Sequence, residues 1–408
     1  MPAVRTNKQR PTYLQPLHAP KEFPRFEPVP ISLPTSTTLP LSAIIGDTSG
    51  IQAHGQIVFH GVGDTGGFNG TDAQEAVANT MEAQIAAAAD NLKPAFFYHL
   101  GDVIYYNGQS SLYSAQFYEP YKFYPAPIVA IPGNHDGDTH VRPPDPPDSE
   151  PSLAGFRTNF CDSQRRHLDT YRDTMTQPYV YWTLQAPFVT IIGLYGNVDG
   201  LLDGPGTAVQ QQWLTAQLRQ ADQNACLIIA VHQPPYSLDD SHGGYPAILT
   251  ALDQAVHAAG RWPDAVLSGH VHNYQRFTRT VAEPGAGATR EIPYLVAGAG
   301  GYARTSRALH KLNRNPNDPA NPPVPCPIQT LQPDVELRGY HEAACGFLRV
   351  TVTDQRLTIE YFAVPFVGQP PVAPFDAVTV TYRTGRIENQ MAPGTTGAEA
   401  NAVPRPGP

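Results

Sequence analysis

The feature that most constrains this chain is a series of short apolar runs, each of which stops at Gly, Asp, Asn or His. They are Ile57 to Val62, Ala95 to Leu100, Ile128 to Ile131, Val189 to Leu194, Cys226 to Val231 and Ala265 to Leu267. Runs this short, apolar throughout rather than alternating, are the pattern of strands buried on both faces. Amphipathic stretches separate them. One starts at Thr71 or Asp72, keeps Val77, Met81, Ile85, Ala88 and Leu92 on one side, and is predicted to continue until Pro94. Ala208 to Ala221 and Pro246 to Ala259 repeat the pattern. Strands alternating with helices imply a substantially parallel sheet, whose ligands gather beyond the carboxyl ends of the strands. After Gly269 the runs are strand-like with few helices between them: Tyr274 to Val281, Pro293 to Ala297, Gly346 to Thr353, Leu357 to Val364 and Ala377 to Tyr382. They predict a second, mostly antiparallel sheet packed on the first.

The outer parts of the chain read differently. Residues 1–50 are Pro-rich and aperiodic and predict an extended arm beside one large domain at 51–385, with a flexible tail at 386–408. Residues 141–152 and 313–333 are Pro-rich insertions that read as loops. With 41% hydrophobic residues the domain can bury a sizeable core. A net charge of −9 argues against nucleic acid or an anionic membrane as the main partner, because both are met by Lys and Arg. The longest apolar run, Ala225 to Val231, is too short to span a bilayer, and the first twenty residues hold no signal-peptide core, so the expected compartment is the cytoplasm. The four cysteines show no C-x-x-C spacing; Cys226 reads as a buried thiol, and pairing of Cys326 with Cys345 stays open.

The strand endings carry the chemistry. In order they are Gly63-Asp64, Gly101-Asp102 with Tyr105 three residues on, Gly133-Asn134-His135-Asp136, Val231-His232, and Gly269-His270-Val271-His272. Two carboxylates, three imidazoles and an amide form a mixed oxygen and nitrogen donor set that suits Zn, Mn or Fe better than Ca or a thiolate cluster. More donors converge than one ion needs. By composition alone Tyr105 and Tyr106 are equal candidates for a further ligand.

Taken together, these five motifs resemble those of the calcineurin-like metallophosphoesterases over about residues 56–384. Most members of that superfamily open with Asp-x-His, whereas here Asp64 is followed by Thr65 and Gly66, so one imidazole ligand is missing. Tyr105 sits where the purple acid phosphatase branch has an iron-binding tyrosinate, and that branch also opens with Gly-Asp-x-Gly. The resemblance therefore narrows to that branch. It implies an α/β fold, a four-layer α/β/β/α sandwich of mixed sheets flanked by helices. It also implies Fe(III) held by Asp64, Asp102, Tyr105 and His272, and a divalent Fe, Zn or Mn ion held by Asp102, Asn134, His232 and His270, with Asp102 as the bridge. The reaction it implies is hydrolysis of phosphate monoesters of small molecules by a metal-bridging hydroxide attacking phosphorus in line. The alternatives are a phosphodiesterase on the same centre and a binding module without catalysis. His135 resembles the family's substrate-contacting histidine, and His242 follows His232 at a spacing where that branch often has another; either is suited to protonate the leaving group.

Plainer readings apply to the remaining candidates. His242 lies in a polar loop where Asp239 and Asp240 cap a turn, and His60 and His99 lie inside apolar runs as core residues. His310, His341 and Arg304 come from later loops with no supporting spacing. Gly61 to Gly66 matches G-x-G-x-x-G, but Asp64 inside the turn would repel a pyrophosphate, so the dinucleotide reading is rejected. Gly298 to Gly301 reads as a close-packed turn, and Asn69-Gly70-Thr71 as a chance glycosylation match.

Overall fold

The computed structural model describes residues 12–68, 70–140, 150–167, 172–283 and 287–390, so Asn69 and most of the first Pro-rich insertion lie outside the described residues. Two mixed sheets stand face to face. One has nine strands, in edge-to-edge order Thr38–Pro40, Trp182–Ala186, Val189–Leu194, Cys226–Val231, Ala265–Ser268, Thr289–Ala297, Tyr274–Ala282, Val335–His341 and Ile328–Gln329. The other has seven, in the order Arg386–Gln390, Asp376–Thr381, Arg356–Val364, Cys345–Thr353, Gln56–Val62, Phe97–His99 and Ile128–Ala130.

The later strands do not form a sheet of their own, which corrects the expectation from their pattern. Thr289–Ala297 pairs parallel with Ala265–Ser268, while Cys345–Thr353 pairs antiparallel with Gln56–Val62. Both sheets are thus mixed: neighbouring strands pair parallel and antiparallel in equal number in the nine-stranded sheet, and mostly antiparallel in the seven-stranded one. Periodicity identifies strands but carries no information about which edge a distant strand joins.

The contacts between the sheets include large rings and an ion pair. Tyr98 stacks on Trp182 at 6.1 Å between ring centres, and Tyr274 on Tyr361 at 4.0 Å. The Arg276 guanidinium donates twice to the Asp376 carboxylate, at 2.8 Å each, and Tyr274 Oη donates to the same carboxylate at 2.9 Å. Helices cover the outer faces. Asp72–Ala87 lays Val77, Ala78, Met81 and Ile85 against the seven-stranded sheet, with Asp72 and Glu75 in its first turn complementing the helix dipole. Val209–Gln220 covers the nine-stranded sheet, where Trp213 Nε1 donates to Thr37 Oγ1 and Thr183 Oγ1 to Gln217 Oε1. Pro246–Ala259 packs beside it and ends at Gly260, whose φ of +68° suits a glycine stop. This is the four-layer α/β/β/α arrangement.

Three boundaries shift. The helix expected to reach Pro94 leaves helical geometry at Ala88, and Leu92 sits half exposed in a single turn, Asp90–Leu92. Asp90 and Asn91 favour turns, and Pro94 pushes the preceding Lys93 to an extended conformation. At the front, Thr38–Pro40 is an edge strand and Ser42–Ile45 and Ser49–His54 are short helices rather than an aperiodic arm. At the back, Arg386–Gln390 pairs with Asp376–Thr381, inside the stretch read from sequence as tail. Cys326 and Cys345 are both free thiols, and the buried Cys345 donates to the Ala303 carbonyl.

Candidate metal centre

Six of the seven expected metal-binding side chains come within four residues of a strand's carboxyl end. Asp64 follows Gln56–Val62, Asp102 follows Phe97–His99, Asn134 follows Ile128–Ala130, His232 follows Cys226–Val231, and His270 and His272 follow Ala265–Ser268. The two sheets bring these ends to one place. Asp64, Asp102 and His270 reach it with φ of +59°, +52° and +69°, a left-handed backbone that non-glycine residues seldom adopt. The motif glycines make room for the ligand atoms. A Cβ on Gly133 would stand 2.1 Å from Asp102 Oδ1, and one on Gly269 2.6 Å from Asp64 Oδ2.

The donors fall into two groups. In the first, Asn134 Oδ1 stands 3.1 Å from His232 Nε2 and 2.8 Å from His270 Nδ1, and Asp102 Oδ2 is 3.2 Å from His232 Nε2. Donor atoms of Asp102, His232 and His270 all lie within 4.8 Å of one another. In the second, Asp64 Oδ1 is 3.2 Å from Tyr105 Oη and 3.4 Å from His272 Nε2, with 3.4 Å between those two. Tyr105 also interacts with Asp102, so Asp102 faces both groups.

Burial and charge shape how these groups titrate. His270 and His272 are driven well below the usual histidine range, by burial first and then by neighbouring imidazoles, which keeps them as neutral lone-pair donors. Asp64 is raised, chiefly by burial, with the negative charge of Asp102 adding to it. Burial also opposes the charge on Asp102, but His232 and His135 outweigh it and hold this carboxyl low. The Tyr105 phenol is pushed far above its usual range by burial and by both carboxylates. Two buried carboxylates beside the neutral imidazoles of His270 and His272 are a donor set that fits cations, which would reverse the cost of charge on Asp64 and Tyr105 and displace the proton that the carboxylates favour on His232.

A second layer of bonds orients the donors. His232 Nδ1 donates to the Leu100 carbonyl at 2.8 Å, which turns Nε2 toward Asn134 and Asp102. The Asp136 carboxylate accepts the N–H groups of Gly133 and Val103 beneath Asp102. Gln116 clamps the backbone of Tyr105, accepting from its N–H at 2.8 Å and donating to its carbonyl at 2.9 Å. Tyr245 Oη lies 2.7 Å from His270 Nε2. None of these was singled out from sequence. Only Asp136, next to His135 in its motif, carried a local signal.

His135 and His242 both border the centre. The His135 N–H donates to Asp102 Oδ1 at 2.9 Å, its ring lies 4.5 Å from Tyr105, and its Nδ1 donates to the Tyr106 carbonyl at 2.7 Å. The His242 ring stands 4.9 Å from His270 and 6.5 Å from His272. His310 stacks on both His242 and His272, at 4.7 and 4.3 Å. Tyr106 instead bonds Tyr302 Oη, and His341 packs on Phe375 away from the donors. His60 and His99 are core residues, with His60 beside Tyr124 Oη and His99 beside Thr65 Oγ1.

The fold is a mixed-sheet sandwich that gathers two groups of candidate metal donors at one end of its strands. The calcineurin-like phosphoesterase family matches residues 43–274, more than half of the chain, and this protein belongs to that family. Purple acid phosphatase 21 of Arabidopsis thaliana is 28% identical over 134 residues, 31% of this chain and 29% of that protein. Purple acid phosphatase 22 of the same plant is 27% identical over 126 residues, 30% of this chain and 27% of that one. The chain thus spans less than a third of these relatives. Among solved structures, purple acid phosphatase PPD1 from yellow lupin (Lupinus luteus) seeds superposes with a TM-score of 0.53 at 17% identity, covering 80% of this chain and 54% of that one. PhoD superposes at 0.51 and 12% identity, covering 84% and 73%. These two likenesses establish the fold. Among the described residues no helix is long and apolar enough to cross a membrane.

Proposed function

We propose that this protein hydrolyses phosphate esters with two bound metal ions, and that monoesters of small molecules are its substrates. The observation that carries the reading is the division of buried donors into two groups that share Asp102. Asp64, Tyr105, His272 and Asp102 would hold one ion, and Asp102, Asn134, His232 and His270 the other. When bound, such a pair supplies positive charge to the phosphoryl oxygens and activates water for in-line displacement. The chain's own residues do the rest. The Leu100 carbonyl and Tyr245 fix the rings of His232 and His270, and burial keeps water from competing for the donors. His135 and His242 border the centre from different loops and are placed to protonate the leaving oxygen. His135 commits Nδ1 to the Tyr106 carbonyl, which leaves Nε2 to hold or release that proton.

Monoester preference is supported by the names of the curated relatives, which are acid phosphatases. Rates for 4-nitrophenyl phosphate and bis(4-nitrophenyl) phosphate with metal-loaded protein at mildly acidic to neutral pH test it. A higher kcat/KM for the monoester is expected. Preference for the diester transfers the assignment to a phosphodiesterase, and hydrolysis of neither ester rejects the enzymatic reading.

Iron is proposed for the first group because Tyr105 Oη stands 3.2 Å from Asp64 Oδ1 and 3.4 Å from His272 Nε2, where a phenolate could join them as a ligand, and because the curated relatives are named purple acid phosphatases. Iron-loaded, oxidised protein should then show a visible charge-transfer band. Tyr105→Phe should abolish the band while iron remains bound by mass spectrometry; a band that survives rejects Tyr105 as ligand.

A further inference from the structure

Beside the metal centre lies a second cluster, in which Asp239 and His310 stand against His242. Asp239 is fully buried, and its Oδ2 accepts the N–H of Ser241, at 2.9 Å, and that of His242. The same Oδ2 stands 3.8 Å from His242 Nδ1 and 3.5 Å from His310 Nδ1. Asp239 Oδ1 and His242 Nδ1 are both shut off from solvent without a hydrogen-bond partner among the described residues. Two buried, unpaired groups of complementary chemistry side by side are unfavourable unless they serve each other.

The backbone holds this cluster together. The turn at 238–242 is zipped to 310–313, which lies seventy residues later and beyond the family match: Asp240 N–H donates to the Lys311 carbonyl at 2.9 Å, and Asn313 N–H to the Leu238 carbonyl at 2.7 Å. His310 N–H donates to the His272 carbonyl at 3.2 Å, and His310 Nδ1 is 3.3 Å from the His272 N–H. Either tautomer of His310 therefore has a partner: a proton on Nδ1 faces Asp239, and a lone pair faces the His272 N–H.

We propose that Asp239 is a positioning residue that orients His242 and His310 as a pair, turning their outer ring edges toward a phosphate ester at the centre. The proposal rests on the phosphoesterase reading above. Each ring faces Asp239 with Nδ1, so Nε2 lies on the far side, and both rings abut His272, with His242 also against His270. A third metal ion is the competing account, since donor atoms of Asp239, His242 and His310 lie within 4.8 Å of one another. The ring planes argue against it. The two imidazoles are stacked with planes 9° apart, and in-plane lone pairs on stacked, nearly parallel rings do not meet at one ion.

Asp239→Asn tests this, because the amide oxygen still accepts the two backbone N–H bonds while the charge that attracts the imidazoles is gone. In zinc-loaded protein, metal content should stay at two ions per chain and kcat for alkyl phosphates should fall about 10- to 100-fold, the range for loss of an orienting partner. For 4-nitrophenyl phosphate, whose leaving group needs little protonation, the loss should be several-fold smaller. Equal losses on both substrates, or none on either, overturn the proposal, as does a third zinc ion that disappears in the variant. A separate readout does not depend on activity: 15N spectra of the histidine side chains should show the His242 and His310 Nδ1 signals moving in Asp239→Asn. If those signals move but wild-type protein hydrolyses no phosphate ester, the orienting contact stands and the phosphoesterase reading fails. Unmoved signals reject the orienting contact itself.

Discussion

Asp102→Asn is expected to release both metal ions together and to reduce phosphate-ester hydrolysis by more than the roughly 10- to 100-fold typical of losing an outer-shell partner. Asp102 faces both donor groups, through His232 at 3.2 Å and through Tyr105. The amide keeps the shape and retains an acceptor for the His135 N–H, so the local backbone has no reason to change. What it removes is the charge that offsets two cations in a buried site, where an uncompensated charge costs several kcal/mol per ion. Metal content after gel filtration, read together with circular dichroism, gives the result. Folded protein that retains two tightly bound ions would mean that the bridge lies elsewhere.

The second large effect concerns stability rather than chemistry. Asp376→Asn should destabilise the fold by about 3–5 kcal/mol, the range for breaking a buried ion pair from one side. The side chains of Arg276 and Asp376 are 1% and 0% exposed, they join the two sheets by a two-pronged contact, and Tyr274 donates to the same carboxylate. Losing the carboxylate charge leaves the guanidinium with neutral partners, among them the side chain of Gln390 at 2.9 Å. Denaturant midpoints measure the effect, and replacing both residues by Met and Leu should recover most of it because no buried charge then remains. A midpoint unchanged by Asp376→Asn would show that water reaches the pair.

The sequence revealed the parts of this site that are local. Asp64, Asp102, Asn134 and His270 each follow a glycine just past an apolar run, and that juxtaposition of an apolar run, a glycine and a ligand-type residue is visible without a structure. Tyr105 needed more, because spacing within one motif separated it from Tyr106 only through resemblance to a family. Tyr245, Gln116 and Asp239 were not legible as orienting groups. Their roles arise from contacts across 25 residues to His270, 11 to Tyr105 and 71 to His310, and no periodicity encodes those. The expectation that the late strands form one second sheet failed for the same reason. Strand pairing at long separation is decided by packing of faces such as Tyr274 on Tyr361, not by the pattern within either strand.

The leading segment gives the molecule a boundary that kinship does not mark. Although the family match opens at residue 43, the stretch before it is stitched to the loops around the centre. Pro16 accepts the N–H groups of Ser237 and Gly244, Arg25 pairs with Asp138, and Glu27 exchanges bonds with Asn197. The unit inherited with the family and the unit that holds its loops in place are therefore of different lengths. A shortened version cut at the homology border would keep every side chain proposed to bind metal and yet lose the brace that spans the His242 turn and the end of the Asn134 loop.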